Sequence, residues 1–233
     1  MAGRHVLITG ATRGIGEALV RHCLDAGDSV FGCGRTPSAV SHPQYTHFCV
    51  DVTAPAAVAQ LFEDVRTQAA TLDVLINNAG VASMNAIVLT PDETARRIVD
   101  TNVLAPFTFT RLAVRLLRRS PAARIVNLSS VAVPLRLEGE AIYAASKSAL
   151  ETFTRIAARE LGQFGITCNA VGPSPIRTAL VAGVPDAKLQ AMVDAQAVRR
   201  WATTADVVNV VDFFLRPESS MITGQVVYLG GAG

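Results

Sequence analysis

A glycine-rich loop near the start of the chain, set between a short apolar segment and a helical pattern, limits the possible folds most. His5–Thr9 is apolar enough for a buried strand, and the periodicity after the loop predicts a helix from about Ile15 to Ala26. Gly10 permits a tight turn, Gly14 lets the backbone approach a pyrophosphate, and Gly16 lets helix and strand pack closely. The helix N-terminus then offers free N–H groups to an anion. The pattern favours nucleotide binding in an α/β sheet, although such a glycine turn also has a purely structural use.

The composition is typical of a globular chain with a large core. Half of the 233 residues are hydrophobic, 17% are charged, and the net charge of +2 gives no reason to expect nucleic acid binding. There is no signal peptide pattern and no apolar run of about 18 residues, so we expect a cytoplasmic protein without a membrane span. The four histidines lack metal-ligand spacing, and no metal site is expected. The cysteines are expected to be reduced, buried thiols: Cys23, Cys33, Cys49 and Cys168.

The residues after the second predicted strand, Ser29–Gly34, indicate which dinucleotide binds. Dinucleotide folds place an acid there to bond the ribose 2′-hydroxyl, whereas a nearby arginine accommodates a 2′-phosphate. Here Gly34 occupies the position of the acid, Arg35 follows it, and Arg13 adds a second guanidinium from the glycine loop. The two arginines favour NADP(H) over NAD(H). The alternative is that both are solvated loop residues.

Two further strands are predicted, and each ends in residues suited to a ligand. Tyr45–Val50 leads to Asp51, which bonds an adenine amino group, caps the helix predicted from Pro55 to about Ala70, or does both. Leu72–Ile76 leads into Asn77-Asn78-Ala79-Gly80, where small residues allow close backbone approach to a ligand. The two asparagines either satisfy the loop backbone or bind cofactor hydroxyls.

Three side chains in the second half of the chain form a candidate proton-transfer group. The apolar strand Arg124–Leu128 delivers Ser130 to its carboxyl end. In the helix predicted at Ala141–Leu161, Tyr143 and Lys147 lie on one face, roughly 5–6 Å apart at Cβ. The apolar side of this helix is expected to comprise Ile142, Leu150, Phe153, Ile156, Ala157 and Leu161.

The chemistry of this group depends on the pKa of the phenol, which is ordinarily ~10. An ammonium about 4 Å away favours phenolate by about 4 kcal/mol at an effective dielectric of ~20. Lys147 is therefore expected to lower the pKa of Tyr143 by up to roughly three units, before burial reverses part of the shift. Tyr143 can then exchange a proton with an alcohol or ketone oxygen that Ser130 holds. The alternative is an exposed tyrosine and a solvated lysine.

Together, the motifs resemble the short-chain dehydrogenase/reductase family over nearly the whole chain. The family's order is followed by Thr9-Gly10-x-x-x-Gly14-x-Gly16, Asn77-Asn78-Ala79-Gly80, Ser130 and Tyr143-x-x-x-Lys147. The resemblance implies one Rossmann-type domain over residues 1–233, an α/β fold with a doubly wound parallel sheet of about seven strands and helices on both faces. In general pattern the chain is most similar to the 3-oxoacyl-[acyl-carrier-protein] reductases.

The resemblance also implies roles for individual residues. It adds Asn102 to the Ser-Tyr-Lys group, holding a water that links Lys147 to solvent; otherwise Asn102 is a polar residue at a helix kink. The catalytic residues are then Asn102, Ser130, Tyr143 and Lys147. In relatives a Pro-Gly loop precedes the residues that clasp the nicotinamide carboxamide, but here Ser174 replaces the glycine. The predicted cofactor contacts are Gly10, Thr12, Arg13, Gly14, Ile15, Gly16, Arg35, Asp51, Val52, Asn78, Ala79, Gly80, Tyr143, Lys147, Pro173, Ile176 and Thr178.

The remaining segments are expected to complete the sheet and cover the site. Residues 165–171 and 223–229 are predicted as the sixth and seventh strands. Between them, residues 179–200 would form a lid with an apolar pocket wall and a helix around Asp186–Ala195. A further helix is predicted at Thr204–Leu215, capped by Thr203 or Thr204.

Charged residues leave the choice of partner open. One long helix or two joined helices are predicted at Asp92–Arg119, with a basic run that comprises Arg111, Arg115, Arg118 and Arg119. This run is a solvated face or a subunit contact, or else it docks an acidic carrier protein. The resemblance implies a homo-oligomer, a tetramer or dimer, built from this region and Ala141–Leu161. Three charged residues are expected to border the substrate pocket: Arg136, Glu138 and Glu140. They would favour a polar ketone as the substrate over an acyl thioester.

The sequence thus predicts an NADPH-dependent carbonyl reductase that converts a 3-oxoacyl thioester, carried by acyl-carrier protein or CoA, to the 3-hydroxyacyl product. One alternative is an NADP-dependent ketone or secondary-alcohol oxidoreductase of a specialised pathway. The other is a non-catalytic NADP-binding protein, for which the Ser174 loop is the one hint. Neither nucleic acid nor a membrane is expected as a partner.

Overall fold

Seven parallel strands form the sheet on which the rest of the chain is arranged, in a computed structural model that describes residues 3–178 and 183–231. The strands are β1 (His5–Thr9), β2 (Ser29–Gly34), β3 (Tyr45–Cys49), β4 (Val74–Asn77), β5 (Arg124–Leu128), β6 (Thr167–Gly172) and β7 (Val226–Tyr228). Their order is β3-β2-β1-β4-β5-β6-β7, so the direction of winding reverses between β1 and β4. Open α/β sheets bind ligands at the carboxyl ends of the strands next to such a reversal.

Helices connect the strands and lie on both faces of the sheet. They are α1 (Gly14–Asp25), α2 (Pro55–Gln68), α3 (Asp92–Val99), α4 (Ala105–Leu117), α5 (Ala132–Leu135), α6 (Ala141–Leu161), α7 (Asp186–Asp194) and α8 (Thr204–Leu215). A π-helical turn, Asp100–Leu104, joins α3 to α4. Short 3₁₀ turns lie at Ile87–Leu89, Gly162–Phe164, Pro217–Met221 and Leu229–Gly231.

The core consists of two hydrophobic clusters, one on each face of the sheet. Successive residues of a strand point to opposite faces, so Leu7 of β1 joins one cluster while Val6 and Ile8 join the other. The Leu7 cluster includes residues of α2, α4 and α6, among them the fully buried Phe109. The second cluster is covered by α1 and α8, which contributes Phe214. The predicted doubly wound sheet with helices on both faces is confirmed.

Strands β4, β6 and β7 begin later than predicted. The Leu72 N–H bonds the Leu116 carbonyl across 3.4 Å, which takes it out of the β4 ladder. Gly165 and Gly224 have φ values of +72° and +70°, a left-handed conformation that strands do not adopt. The sixth and seventh strands therefore begin at Thr167 and Val226.

Helix ends follow the predictions with one correction. Thr203 caps α8 through a capping box with Asp206, as one of the two predicted alternatives requires. Asp51 does not cap α2: its Oδ1 accepts hydrogen bonds from the Thr53 N–H (2.9 Å) and hydroxyl (2.7 Å) in the turn before the helix. The N-cap position of α2 belongs to Ala54, whose methyl group cannot accept a hydrogen bond.

Two burial expectations are wrong. Ile156 does not join the buried side of α6 but is half exposed, while Leu150 and Ala157 are buried as predicted. Cys49 at the end of β3 is exposed, whereas the other three cysteines are buried. Both exceptions lie near the edge of an amphipathic element, where periodicity alone does not locate the boundary between core and surface.

Part of the predicted lid, residues 179–182, lies outside the described residues, as do Ala232 and Gly233. Within the described ranges no helix is both long and apolar enough to cross a membrane. Over those same ranges, no group of three or more His, Cys, Asp or Glu side chains is arranged to hold a metal ion.

Candidate active site

A large cleft of about 1100 Å³ opens at the carboxyl ends of the strands. It is bordered by the loops that follow β1, β2, β3, β4, β5 and β6, and by α7. All predicted cofactor contacts line it: Gly10, Thr12, Arg13, Gly14, Ile15, Gly16, Arg35, Asp51, Val52, Asn78, Ala79, Gly80, Tyr143, Lys147, Pro173, Ile176 and Thr178. Of the predicted catalytic residues, Ser130 lines it as well.

The glycine loop forms a cradle whose shape depends on the missing side chains. Gly10 and Gly14 adopt φ values of +65° and +58°, which L side chains rarely tolerate. A Cβ on Gly16 would overlap the carbonyl oxygen of Gly10, so this position holds the helix against the loop. A Cβ on Gly14 would meet Thr178 across the cleft at 3.5 Å. The first turn of α1 therefore directs its backbone N–H groups into a narrow space that suits a pyrophosphate.

The loop after β4 braces this cradle. The Asn78 amide donates hydrogen bonds to the carbonyls of Thr9 (2.9 Å) and Gly10 (3.0 Å). In return, the Thr9 hydroxyl accepts the backbone N–H groups of Asn78 and Ala79 at 3.0 and 2.9 Å. Asn77 lies below in the core and donates to Asn127 Oδ1 at 2.8 Å. Of the two alternatives, the first describes the structure better, because both asparagine side chains form hydrogen bonds with other groups of the protein. Asn78 also contributes its backbone to the cleft wall.

Two arginines border the end of the cleft near β2 and β3. Arg13 and Arg35 are both exposed and both line it. Gly34 is buried against Thr12, since a Cβ there would lie 3.0 Å from the Thr12 methyl carbon. Asp51 lines the cleft as well, and hydrogen bonds from Thr53 are the chief cause that lowers the pKa of this carboxyl group, so it stays ionised there.

Tyr143 and Lys147 lie on the cleft-facing side of α6 with Ser130 beside them. Tyr143 is 7% exposed and Lys147 is 4% exposed, so neither is the solvated residue of the alternative interpretation. Lys147 Nζ lies 6.0 Å from the centre of the Tyr143 ring and donates to the Leu128 carbonyl at 2.7 Å. The end of β5 and the first turns of α6 therefore bring the three predicted side chains together.

The expected lowering of the Tyr143 pKa by Lys147 is wrong. Burial raises the pKa of Tyr143 to about 12, although the Ser130 hydroxyl acts in the opposite direction. Burial also lowers the pKa of Lys147 to about 8. The prediction considered mainly the attraction between a nearby ammonium and the phenolate. In the structure both groups lose their hydration in the same pocket, and this loss disfavours the charged form of each.

Asn102 lies in the π-helical turn between α3 and α4, completely buried behind the cleft wall. Its Oδ1 accepts the Val81 N–H at 2.9 Å, and its Nδ2 donates to the Val81 carbonyl (2.9 Å) and the Ser146 hydroxyl (3.0 Å). A Cβ on Gly80 would lie 3.4 Å from both Asn102 Oδ1 and Lys147 Nζ. The amide thus braces the cleft wall next to Lys147, and the water-holding role stays a prediction.

The loop after β6 has a defined path despite the serine that replaces glycine. Ser174 is buried, and its hydroxyl donates to Gln196 Oε1 at 3.0 Å. Ile176 pairs with Ala202 in an isolated parallel bridge, and the Ala202 N–H bonds the Pro175 carbonyl at 3.2 Å. These contacts hold the loop against the segment that follows α7.

Sequence reasoning placed three charged residues at the substrate pocket, and the structure separates them. Glu140 lines the cleft, whereas Arg136 and Glu138 are exposed and do not belong to the wall formed by the described residues. Sequence reasoning missed a charged rim of the cleft on α3 and the π turn. This rim is formed by Glu93, Arg96, Arg97 and Asp100. The i, i+3/i+4 spacing of these residues was a signal that could have located the rim.

A buried cluster behind the site was also missed. The Glu151 carboxylate accepts hydrogen bonds from the hydroxyls of Ser129 (2.6 Å) and Tyr228 (2.7 Å). Glu151 lies one turn after Lys147, and Ser129 precedes Ser130. An acid four residues after the lysine, on the same helix face, was the available signal. The cluster ties α6 to the ends of β5 and β7.

Comparisons with known proteins agree with this architecture. The family model described as "Enoyl-(Acyl carrier protein) reductase" matches residues 10–231. The 3-oxoacyl-[acyl-carrier-protein] reductase FabG of Escherichia coli (strain K12) is 29% identical, over 98% of this chain and 96% of the relative. Among solved structures, 4-hydroxyisoleucine dehydrogenase complexed with NADH superposes with a TM-score of 0.88 at 26% identity, covering 98% of this chain and 97% of that one.

A second solved structure is the ligand-free aldohexose dehydrogenase of Thermoplasma acidophilum. Its TM-score is 0.90 at 28% identity, and the match covers 99% of this chain and 94% of that one. The family model covers most of the chain, and the matched region contains the glycine cradle and the Ser-Tyr-Lys group. The chain therefore belongs to the short-chain dehydrogenase/reductase family and is an oxidoreductase acting on CH–OH or C=O groups.

Proposed function

We propose that the protein is a cytoplasmic, single-domain carbonyl reductase that uses NADPH to interconvert a ketone and a secondary alcohol. The observation that carries this proposal is that Ser130, Tyr143 and Lys147 meet in the same cleft as the glycine cradle. A phenol and a hydroxyl beside each other suit a substrate oxygen that gains a proton as its carbon gains a hydride. The non-catalytic alternative has little support because the side chains required for this chemistry are present.

The cleft fits a dinucleotide phosphate. The first turn of α1 and the glycines would hold the pyrophosphate, and Arg13 and Arg35 would hold a 2′-phosphate. Asp51 would bond the adenine amino group, and Ile176 and Thr178 the nicotinamide carboxamide. The bound cofactor supplies the hydride. One solved relative is complexed with NADH, so the choice of NADPH for this chain rests on its two arginines.

The protein's own groups would then handle the proton. Because the pKa of Tyr143 is about 12, its phenol is protonated at neutral pH and is ready to donate to a nascent alkoxide. Ser130 would hold the same oxygen by a hydrogen bond. Lys147, charged below a pKa of about 8, would stabilise the phenolate that forms, and Asn102 would keep Lys147 connected to solvent.

Two substrate classes have support. The similarity to FabG favours a 3-oxoacyl thioester on acyl-carrier protein or CoA, and Val184, Leu189 and Met192 provide an apolar wall. The second class is a polar ketone or secondary alcohol, favoured by the Glu140 carboxylate inside the cleft. Docking of an acidic carrier on α4 has less support, because Arg118 stacks on Phe164 at 4.2 Å and is engaged within the chain.

A panel of carbonyl compounds tests the function. Purified protein is mixed with NADPH and acetoacetyl-CoA, cyclohexanone or 2-hydroxycyclohexanone, and the NADPH absorbance is followed. We expect turnover of at least one compound, with NADPH preferred to NADH. Tight NADPH binding without turnover of any compound would favour the non-catalytic alternative and contradict the proposal.

Cofactor choice is tested by Arg35→Ser. Losing a charge-assisted contact to phosphate should raise the KM for NADPH about 10- to 100-fold, while the KM for NADH changes little. Arg159→Ser is the matched control, since Arg159 is an exposed arginine on α6 outside the cleft wall. Equal changes for both cofactors would contradict the assignment of Arg35 to the 2′-phosphate.

A further inference from the structure

One carboxylate in the cleft has no role in the proposed hydride and proton transfer. Glu140 precedes α6 directly, three residues before Tyr143, and lines the cleft. Its Oε2 atom is buried, and no hydrogen-bond donor in residues 3–178 or 183–231 reaches it. No arginine, lysine or histidine of the same ranges forms an ion pair with it. A buried carboxylate oxygen without a partner costs folding free energy.

Although Oε2 is shielded, Glu140 itself is only half-buried and lines the cleft, so its carboxyl group can meet a ligand there. Burial raises the pKa of Glu140, and the charge of Glu140 in turn contributes to the raised pKa of Tyr143. The neighbouring Gly139 packs on Met84, since a Cβ there would lie 3.2 Å from Met84 Cγ. Met84, Leu189 and Met192 form the apolar wall on this side of the cleft. A ligand that reaches Tyr143 therefore passes the Glu140 carboxyl group beside these apolar side chains.

We propose that Glu140 contacts the substrate and accepts a hydrogen bond from a hydroxyl or ammonium group on the carbon next to the reacting carbon. The proposal rests on the proposed function and narrows its substrate class to vicinal diols or vicinal amino alcohols and the corresponding ketones. Glu140 and Tyr143 both line the cleft and lie three residues apart at the start of α6, which suits a donor on the carbon next to the one whose oxygen meets Tyr143.

The same geometry disfavours a plain acyl chain. A 3-oxoacyl thioester has no hydrogen-bond donor on the carbons beside its ketone, so its binding would leave the Glu140 carboxylate buried and unpaired. A donor-bearing substrate removes that cost on binding. Specificity of this kind, in which a polar site rejects the analogue that lacks the polar group, is stronger than discrimination by apolar fit.

The test compares three alcohols on one ring: cyclohexanol, vicinal cyclohexanediol and vicinal aminocyclohexanol. Oxidation with NADP⁺ gives kcat/KM, and Trp201 fluorescence gives affinity without turnover. Trp201 is the one tryptophan of the chain, and its ring stacks at 4.2 Å on Arg177, which lines the cleft. Wild type should prefer the donor-bearing alcohols in both measurements, and Glu140→Met should reduce that preference about 10- to 100-fold. Glu138→Met, the exposed neighbouring acid, should keep the wild-type preference.

Glu140→Gln separates the two donors. A glutamine oxygen still accepts from a hydroxyl but cannot pair with an ammonium charge, so the amino alcohol should lose more than the diol if ammonium is the natural donor. Equal affinity of wild type for all three alcohols, or an equal change of all three in Glu140→Met, overturns the proposal. Absence of turnover on every alcohol and ketone would instead refute the proposed function, and the fluorescence titration would still decide the role of Glu140.

Discussion

At the scale of single residues, burial determines the protonation of the site more than the charges within it. Tyr143 and Lys147 share a pocket, and the loss of hydration moves the phenol away from phenolate and the amine away from ammonium. The pair is therefore neutral over more of the pH range than two exposed groups would be. A protonated phenol suits reduction, in which Tyr143 gives up its proton, better than oxidation, in which it must first lose one.

Tyr143→Phe removes only the phenolic oxygen. We expect kcat to fall by about 10²- to 10⁴-fold, the usual contribution of a positioned general acid, because no neighbouring group replaces the proton donor. The affinity for NADPH, measured by calorimetry, should change little since the ring still packs. Tyr45→Phe serves as the control, a tyrosine outside the cleft wall. Parallel losses of kcat and NADPH affinity would show that Tyr143 acts mainly in cofactor binding.

Lys147→Met should abolish activity and yet stabilise the cofactor-free protein at neutral pH. The folded-state pKa of Lys147 is about 8 against an ordinary 10.5, so the charged form is the less stable one inside the fold. Below pH 8 the lysine is charged in both folded and unfolded states, and the full penalty applies. It disappears as the pH rises towards 10.5. Removing the ammonium should raise the free energy of unfolding at pH 7 by about 1–3 kcal/mol.

Urea titrations of wild type and Lys147→Met over this pH range measure the difference. The advantage of the variant should be largest below pH 8 and should decline until the pH passes about 10.5, above which Lys147 is neutral in both states. Other groups, such as the buried thiols, titrate in both proteins and cancel in the difference. A constant difference across the range would mean that the lysine is not desolvated in the folded protein.

At the scale of secondary-structure elements, the sequence predicts those parts whose signal is local. β1, β2, β5 and α6 have the predicted bounds because their apolar patterns and flanking residues are unambiguous. The starts of β4, β6 and β7 differ because glycine turns and a hydrogen bond from another element decide them. The sequence alone could place Asp51 near the start of a helix. It could not show that the Thr53 N–H and hydroxyl would donate their hydrogen bonds to the Asp51 carboxylate.

The features of the candidate site likewise divide into those that the sequence predicts and those that it does not. Which residues meet in the cleft follows from the rule that the carboxyl ends of parallel strands share one edge, so all predicted contacts line it. The direction of the shift in the Tyr143 pKa does not follow from that rule, because it depends on how completely the pocket excludes water. The pairing of Glu151 with Tyr228, residues 77 apart in the chain, likewise depends on the register of β7 against β6.

Gly16→Ala tests the junction of β1, the glycine loop and α1. The new methyl group would overlap the backbone carbonyl of Gly10, and backbone cannot move aside as a side chain can. We expect a loss of about 1–3 kcal/mol in the free energy of unfolding, with weaker NADPH binding because the cradle shifts. Gly162→Ala is the control, since its Cβ would meet no described atom within 4 Å. Unchanged NADPH affinity in Gly16→Ala would show that the shape of the cradle does not determine cofactor binding, and would contradict the prediction.

At the scale of the whole molecule, one face remains apolar after the fold is complete. Leu104 of the π turn, Phe107 of α4 and Ile156 of α6 are each about half exposed. The Phe107 ring packs edge-on against Phe153, with centroids 6.0 Å apart, so α4 and α6 present a joint surface. Contiguous exposed apolar groups on two packed helices are typical of protein interfaces. Ile156, predicted on the apolar side of α6, is half exposed and fits this surface.

We propose that this α4–α6 face forms a homo-oligomer contact, and Phe107→Glu tests it. A carboxylate at the centre of an apolar contact would be buried without a partner, so the subunits should dissociate to a smaller species in sedimentation velocity experiments. Phe213→Glu is the matched control, because Phe213 is 42% exposed on α8, which covers the other face of the sheet. A wild-type monomer at micromolar concentration, or equal effects of both substitutions, would contradict the contact. Because α6 also carries Tyr143 and Lys147, dissociation should lower kcat if the contact helps to hold that helix in place.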